Sequence, residues 1–153
     1  SPKEFMDDKQ IKLAIDYIRD RAFSVRKEGM KLLTNICKHF ESAWFEKAVM
    51  PKLLNIFKAT SYLQRETILL TMEHLMPALS QEYVFKYIYP SVKDLASDEV
   101  ENVRLSSITA LRELIDVLPK EKEPVRKIIA KLSKEDSDKD VRDLAEKVLK
   151  EME

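Results

Sequence analysis

Apolar side chains recur along this chain at helical spacing, in blocks divided by short polar turns. Ile11, Ala14, Ile15 and Ile18 predict a helix over 8–20, and Val25, Leu32, Leu33, Ile36 and Phe40 a second over 25–40. The turn between them is Asp20 to Ser24, with Ser24 expected as the N-cap. Phe45, Val49, Leu53, Leu54 and Phe57 predict a helix over 44–58, interrupted near Pro51, because proline lacks the N–H that a helix interior needs. Thr60-Ser61 then turns the chain into 62–79, with Ile68, Leu69, Met72 and Leu75 on one face. The plan repeats over 82–96 (Val84, Ile88, Val92, Leu95) and 100–118 (Val103, Ile108, Leu111, Leu114), where Pro119 stops the helix. It repeats again over 122–134 (Val125, Ile128, Ile129, Leu132) and 138–152 (Val141, Ala145, Val148, Leu149). Tyr83, Phe85, Tyr87 and Tyr89 alternate as in a strand, but their place in the repeat assigns them to a helix. The sum is eight antiparallel helices in four hairpins and no strand signal.

Fixed landmarks reinforce the repetition. Arg26, Arg65, Arg104 and Arg142 are separated by 39, 39 and 38 residues. Seven residues after each comes Leu33, Met72, Leu111 or Leu149, and ten after comes Ile36, Leu75, Leu114 or Met152. Six residues before three of them stands an aspartate: Asp20, Asp98 and Asp136. Pro51 and Pro90 are also 39 apart. A period of this length with internal landmarks predicts an α-solenoid, a stack of helical hairpins each leaning on the next. The repeats run over about 8–41, 44–79, 82–118 and 122–153, in one domain over 1–153. Residues 1–6 read as a vector-derived or disordered lead. Residues 120–153 hold 20 charged side chains in 34 positions, either the polar face of a terminal repeat or a charged boundary.

Composition narrows the function. The chain holds 27 basic and 27 acidic side chains, net zero, which counts against a nucleic-acid partner. One glycine in 153 residues leaves nothing to build a phosphate loop or a dinucleotide turn. No apolar run approaches the ~20 residues of a membrane span, and no signal peptide is visible, so no membrane partner is expected. The lone Cys37 makes no internal disulfide and reads as a small core residue, suiting the cytoplasm or nucleus. His39 and His74 have no second ligand at metal spacing, and no Ser/His/Asp set or paired-carboxylate cleft is defined. The expectation is no enzyme, no cofactor, no metal and no small-molecule substrate.

The segment Asp98-Glu99-Val100-Glu101-Asn102-Val103-Arg104 resembles the Asp-x-Val-x-Asn-Val-Arg stretch of HEAT repeats in the scaffolding A subunit of type 2A protein phosphatases. Tyr62-Leu63-Gln64-Arg65-Glu66-Thr67 is similar to a Tyr-Leu-x-Arg-x-Thr stretch of the same family, and related phosphatase regulatory subunits share these features. The likeness is strong over 51–118 and generic elsewhere. Ala59 departs from it where the other repeats have aspartate, and Ser24 and Leu63 depart where the third repeat has Asn102. The chain is also much shorter than a full phosphatase scaffold. The resemblance implies about four HEAT repeats and a non-enzymatic scaffold or regulatory module. It also implies a protein partner, namely a phosphatase catalytic or regulatory subunit. A tubulin-binding domain of the TOG kind and a transport adaptor are the alternatives.

Two sets of residues follow. Asp20, Arg26, Arg65, Asp98, Asn102, Arg104, Asp136 and Arg142 sit where the first helix of a hairpin ends and the second begins, and should form a structural ladder. The planar guanidinium offers five donors to carboxylates and to the free carbonyls of a helix end. Arg21, Phe23, Ser61, Tyr62, Glu99, Glu101 and Lys139 lie on the hairpin turns and should form a partner-binding ridge, with Phe23 and Tyr62 as anchors. Trp44 lies at the opposite edge and should pack between repeats.

Overall fold

The structure is a computed structural model that describes residues 2–153, with side chains from residue 8 onward. Every element among the described residues is helical. Contacts gather into two compact units, Ser1–Ser80 and Gln81–Glu153. Each unit holds two hairpins, and in solenoids side chains reach only the adjacent repeat.

In the first unit, α1 (Pro2–Ile18) packs on α2 (Phe23–His39). Helix α1 begins earlier than the residue-8 start predicted, with Pro2 in its first turn, where a missing N–H costs nothing. Ser1 and the side chains of residues 2–7 lie outside the described residues, and with them most of the suggested lead. Gly29 sets how closely α1 and α2 approach: a Cβ there would lie 2.8 Å from the Ala14 carbonyl oxygen and 2.9 Å from the Ile18 nitrogen. The first helix of the second hairpin is broken, as Pro51 required, into α3 (Ser42–Ala48) and α4 (Met50–Leu54), followed by a 3-10 turn over Asn55–Lys58. Helix α5 (Tyr62–Leu75) returns and packs on α2. Ile11, Ile18, Leu33, Phe45, Leu53, Ile68 and Met72 form the core. Trp44 is half-buried against Phe40, ring centroids 4.7 Å apart, at the junction of the two repeats. Glu46 accepts the Ser80 N–H at 2.7 Å and so ties α3 to the end of the second hairpin.

In the second unit a bent helix runs through α6 (Gln81–Tyr83), a π-helical turn over Val84–Ile88 and α7 (Tyr89–Leu95). The π turn precedes Pro90, whose ring would otherwise meet the carbonyl four residues back. Within it the aromatic alternation resolves into two i,i+4 pairs, Tyr83 with Tyr87 and Phe85 with Tyr89. Helices α8 (Glu101–Val117), α9 (Lys122–Glu135) and α10 (Lys139–Glu151) complete the unit. Val84, Ile88, Val92, Val103, Leu111, Leu114, Val125, Ile129 and Val141 are its core. Leu33, Met72 and Leu111 are fully enclosed. Leu149, their counterpart on α10, is half-buried, and α10 packs on α8 and α9.

Candidate functional site: the hairpin turns

All four landmark arginines do the same thing. Each Nη1 donates to the backbone carbonyl six residues earlier: Arg26 to Asp20 at 3.1 Å, Arg65 to Ala59 at 2.9 Å, Arg104 to Asp98 at 2.8 Å and Arg142 to Asp136 at 2.7 Å. Arg26 and Arg65 reach a second carbonyl, those of Arg21 and Thr60. These oxygens end the first helix of each hairpin and have no intrahelical donor. The arginine, one turn into the second helix, supplies one.

The aspartate carboxylates have a separate task within each turn. None of the described bonds joins an arginine to the carboxylate of its own turn. Instead the Asp20, Asp98 and Asp136 Oδ1 atoms accept the N–H two residues on, from Ala22, Val100 and Asp138, at 2.8 to 3.0 Å. This local turn favours an aspartate because its short carboxylate reaches its own backbone. It also displaces Ser24 as the expected cap: α2 starts at Phe23, with Ala22 before it and no side-chain cap. Asn102 is exposed and takes no part in the bonds above.

The ladder rung joins one repeat to the next. Arg104 Nε and Nη2 grip Asp136 Oδ2 and Oδ1 at 2.9 and 3.0 Å, a bidentate pair linking the third repeat to the fourth. Both side chains are nearly enclosed, 12% and 5% exposed. Burial alone would raise the Asp136 carboxyl, but the Arg104 hydrogen bonds, the Asp138 N–H and the charges of Arg104 and Arg142 outweigh it and hold it below its ordinary value.

In the first unit the equivalent rung is missing. The position matching Asp136 is Ala59, and buried Arg26 has an Nε with no partner. Glu66 feels the Arg26 charge, yet burial still leaves its carboxyl raised. The backbones at the two positions match: φ −61°, ψ 143° at Ala59 and φ −63°, ψ 140° at Asp136. Ala59→Asp should therefore complete the rung without strain. A gain of about 1–2 kcal/mol, raising the first unit's melting midpoint by several degrees, is expected from a charge-assisted pair that satisfies a buried donor. A scanning calorimetry trace superimposable on that of the parent chain would refute it.

The ridge residues share one register. Phe23, Tyr62, Glu101 and Lys139 are the first residues of α2, α5, α8 and α10, all exposed. Phe23 is 56% exposed and Tyr62 43%, so the first unit presents aromatic rings at its turns. The Arg26 guanidinium lies 5.6 Å from the Phe23 ring centroid. Arg21 and Ser61 are exposed beside these rings, and their backbones serve the turns: the Arg21 carbonyl accepts from Arg26 and the Ser61 carbonyl from the Arg65 N–H. The second unit presents charge instead. Glu99 is exposed, Glu101 sits in the first turn of α8, where an acid suits the helix dipole, and Lys139 pairs with Asp143 at 2.9 Å.

Cys37 is buried, and burial, with the nearby Glu46 charge, pushes its thiol up to about 11, so it stays protonated and unreactive. His39 and His74 each bond a carbonyl of their own helix, those of Asn35 and Leu70. Among the described residues no three His, Cys, Asp or Glu side chains gather to hold a metal, and no helix is long and apolar enough to cross a membrane.

The architecture defines the class first: an all-α repeat solenoid of the HEAT and armadillo kind. Over 92% of its length the chain superposes on 63% of a designed armadillo repeat protein solved in complex with the peptide (KR)4, with a TM-score of 0.58 and 16% identity. It matches a computationally designed armadillo repeat protein for modular peptide recognition over 90% of its length and 62% of that chain, with a TM-score of 0.56 and 16% identity. At the level of sequence, 72 residues are 31% identical to the regulatory A subunit of protein phosphatase PP2A from Schizosaccharomyces pombe, covering 47% of this chain and 12% of that protein. The chain thus spans about an eighth of that relative's length, and the match supports the resemblance read from the turn motifs. No family model matches.

Proposed function

We propose that this chain is a non-enzymatic scaffold or regulatory module whose hairpin turns seat a subunit of a type 2A-like phosphatase. The observation that carries the reading is the pair of exposed rings, Phe23 and Tyr62, at equivalent positions of adjacent repeats. Exposed aromatics held on a rigid helix start give large contact area at little entropic cost, the usual make-up of interface anchors. The braces beneath them, Arg26 and Arg65 on the preceding carbonyls, fix the turns before any partner arrives. The likeness to the regulatory A subunit of PP2A supports the choice of partner. On this reading the chain works in the cytoplasm or nucleus with Cys37 reduced.

The test is a double substitution, Phe23→Ala with Tyr62→Ala, measured by biolayer interferometry against purified PP2A-type catalytic and regulatory subunits. Loss of two anchors should weaken binding by about 100-fold, at about 1.4 kcal/mol per tenfold. The melting curve should barely move, since both rings are exposed. Undiminished capture by the double variant would remove the ridge as the docking surface.

A further inference from the structure

A furrow runs from the Phe23 turn along α2 and α5 of the first unit. Its volume is about 440 Å³. Lys27, Lys31 and Lys38 line it, over a floor that includes Met30 and Leu70, with Phe23 at its turn end. No carboxylate lines it. In a chain whose charges cancel, three ammonium groups along one furrow are a local excess. Of the acids nearby, Glu28 pairs with Lys31 at 3.3 Å on an exposed flank, a solvated ion pair that a ligand carboxylate would replace at little cost.

We infer that this furrow binds an extended acidic peptide whose carboxylates meet the lysines while its apolar side chains rest on Met30, Leu70 and Phe23. The spacing fits. Lys27 and Lys31 are four residues apart on a helix, about 6 Å along its axis, close to the roughly 6.7 Å between alternate residues of an extended chain. A Glu-x-Glu stretch therefore places both acids against both lysines. From Lys27 to Lys38 the helix rises about 17 Å, the reach of some five extended residues. The charge also sets the sign of selectivity: a basic peptide of the same length is repelled. A nucleic acid would offer negative charge too, but a floor of Met30 and Leu70, with the Phe23 ring only at one end, favours aliphatic side chains over a run of stacked bases.

Fluorescence anisotropy with the whole chain tests this, using a fluorescein-labelled peptide of alternating glutamate and leucine, and a partner peptide with lysine in place of glutamate. At low salt the acidic peptide should bind at least about tenfold more tightly than the basic one, and the binding should weaken severalfold as salt rises and screening shortens. Lys31→Glu with Lys38→Glu should cut the affinity at least about tenfold while the circular dichroism melt stays unchanged. That variant keeps Phe23 and Tyr62, so it should still capture a phosphatase subunit if the ridge does so; the two readings can fail separately. Equal binding of the two peptides, indifference to the double reversal, or displacement of the peptide by an equal concentration of oligothymidylate would overturn the inference.

Discussion

Replacing Arg104 with alanine should destabilise the second unit by about 3 kcal/mol, the cost typical of removing one partner from an enclosed ion pair. The substitution strands the Asp136 carboxylate, 5% exposed, without its two guanidinium bonds. It also leaves the Asp98 carbonyl without the Nη1 donor at 2.8 Å. For a chain of this size the loss corresponds to a fall of about 6–12 °C in the melting midpoint. Arg126→Ala is the control: Arg126 is half-exposed, with Glu123 at 3.7 Å, and its loss should cost less than about 0.5 kcal/mol. Equal melting temperatures for the two variants would show that the rung contributes nothing. The effect should also depend on pH in a defined direction. The folded Asp136 carboxyl is held below its ordinary value of 3.8. Its contribution is therefore complete well above 3.8 and is lost as the pH falls through the lower folded value, where the native state finally takes up the proton. The stability gap between the parent chain and Asp136→Asn should be widest near neutral pH and close in acid.

Gly29→Ala should be the other costly change, although alanine is the better helix former by about 1 kcal/mol. The added methyl would stand 2.8 Å from the Ala14 carbonyl oxygen and 2.9 Å from both the Ile18 nitrogen and the Tyr17 Cβ. Two of those three atoms are backbone, so no side chain can rotate away to make room. The whole of α1 must shift on α2, and overpacking of this kind costs about 1–3 kcal/mol or more before the propensity gain is subtracted. We expect a net loss of about 1–2 kcal/mol with alanine and more with valine, whose branch lacks even the helix preference. Chemical denaturation of the parent and both variants measures it. A stabilised alanine variant would mean that α1 and α2 do not meet backbone to backbone at this point.

Much of the architecture could be read from spacing alone. The four arginines, the prolines at 51 and 90 and the apolar landmarks at seven and ten residues each reported a local rule repeated in register. The break at Pro51 followed from one missing N–H. Three things could not be read. Spacing marked the arginines and aspartates as a ladder but not which aspartate meets which arginine: Asp136 belongs to Arg104 of the repeat before, a choice set by how hairpins stack. Gly29 stood out as the sole glycine but carried no hint of its neighbour, because close approach of two backbones leaves no mark on either stretch taken singly. Lys27, Lys31 and Lys38 were hidden by an even linear charge distribution. Their signal lay in the angle around α2, where they share one side and Glu28 falls on a flank.

The Ala59 position has a dynamic consequence. Within the second unit the junction between neighbouring hairpins is riveted by a two-pronged grip, and within the first unit it is not. A stack loaded or warmed slowly yields where its fastening is weakest, so amide hydrogens along the α2 and α5 seam should trade for deuterium sooner than those between α8 and α10. A slack joint would let the two hairpins of the first unit part slightly while each arginine-braced turn keeps its own form.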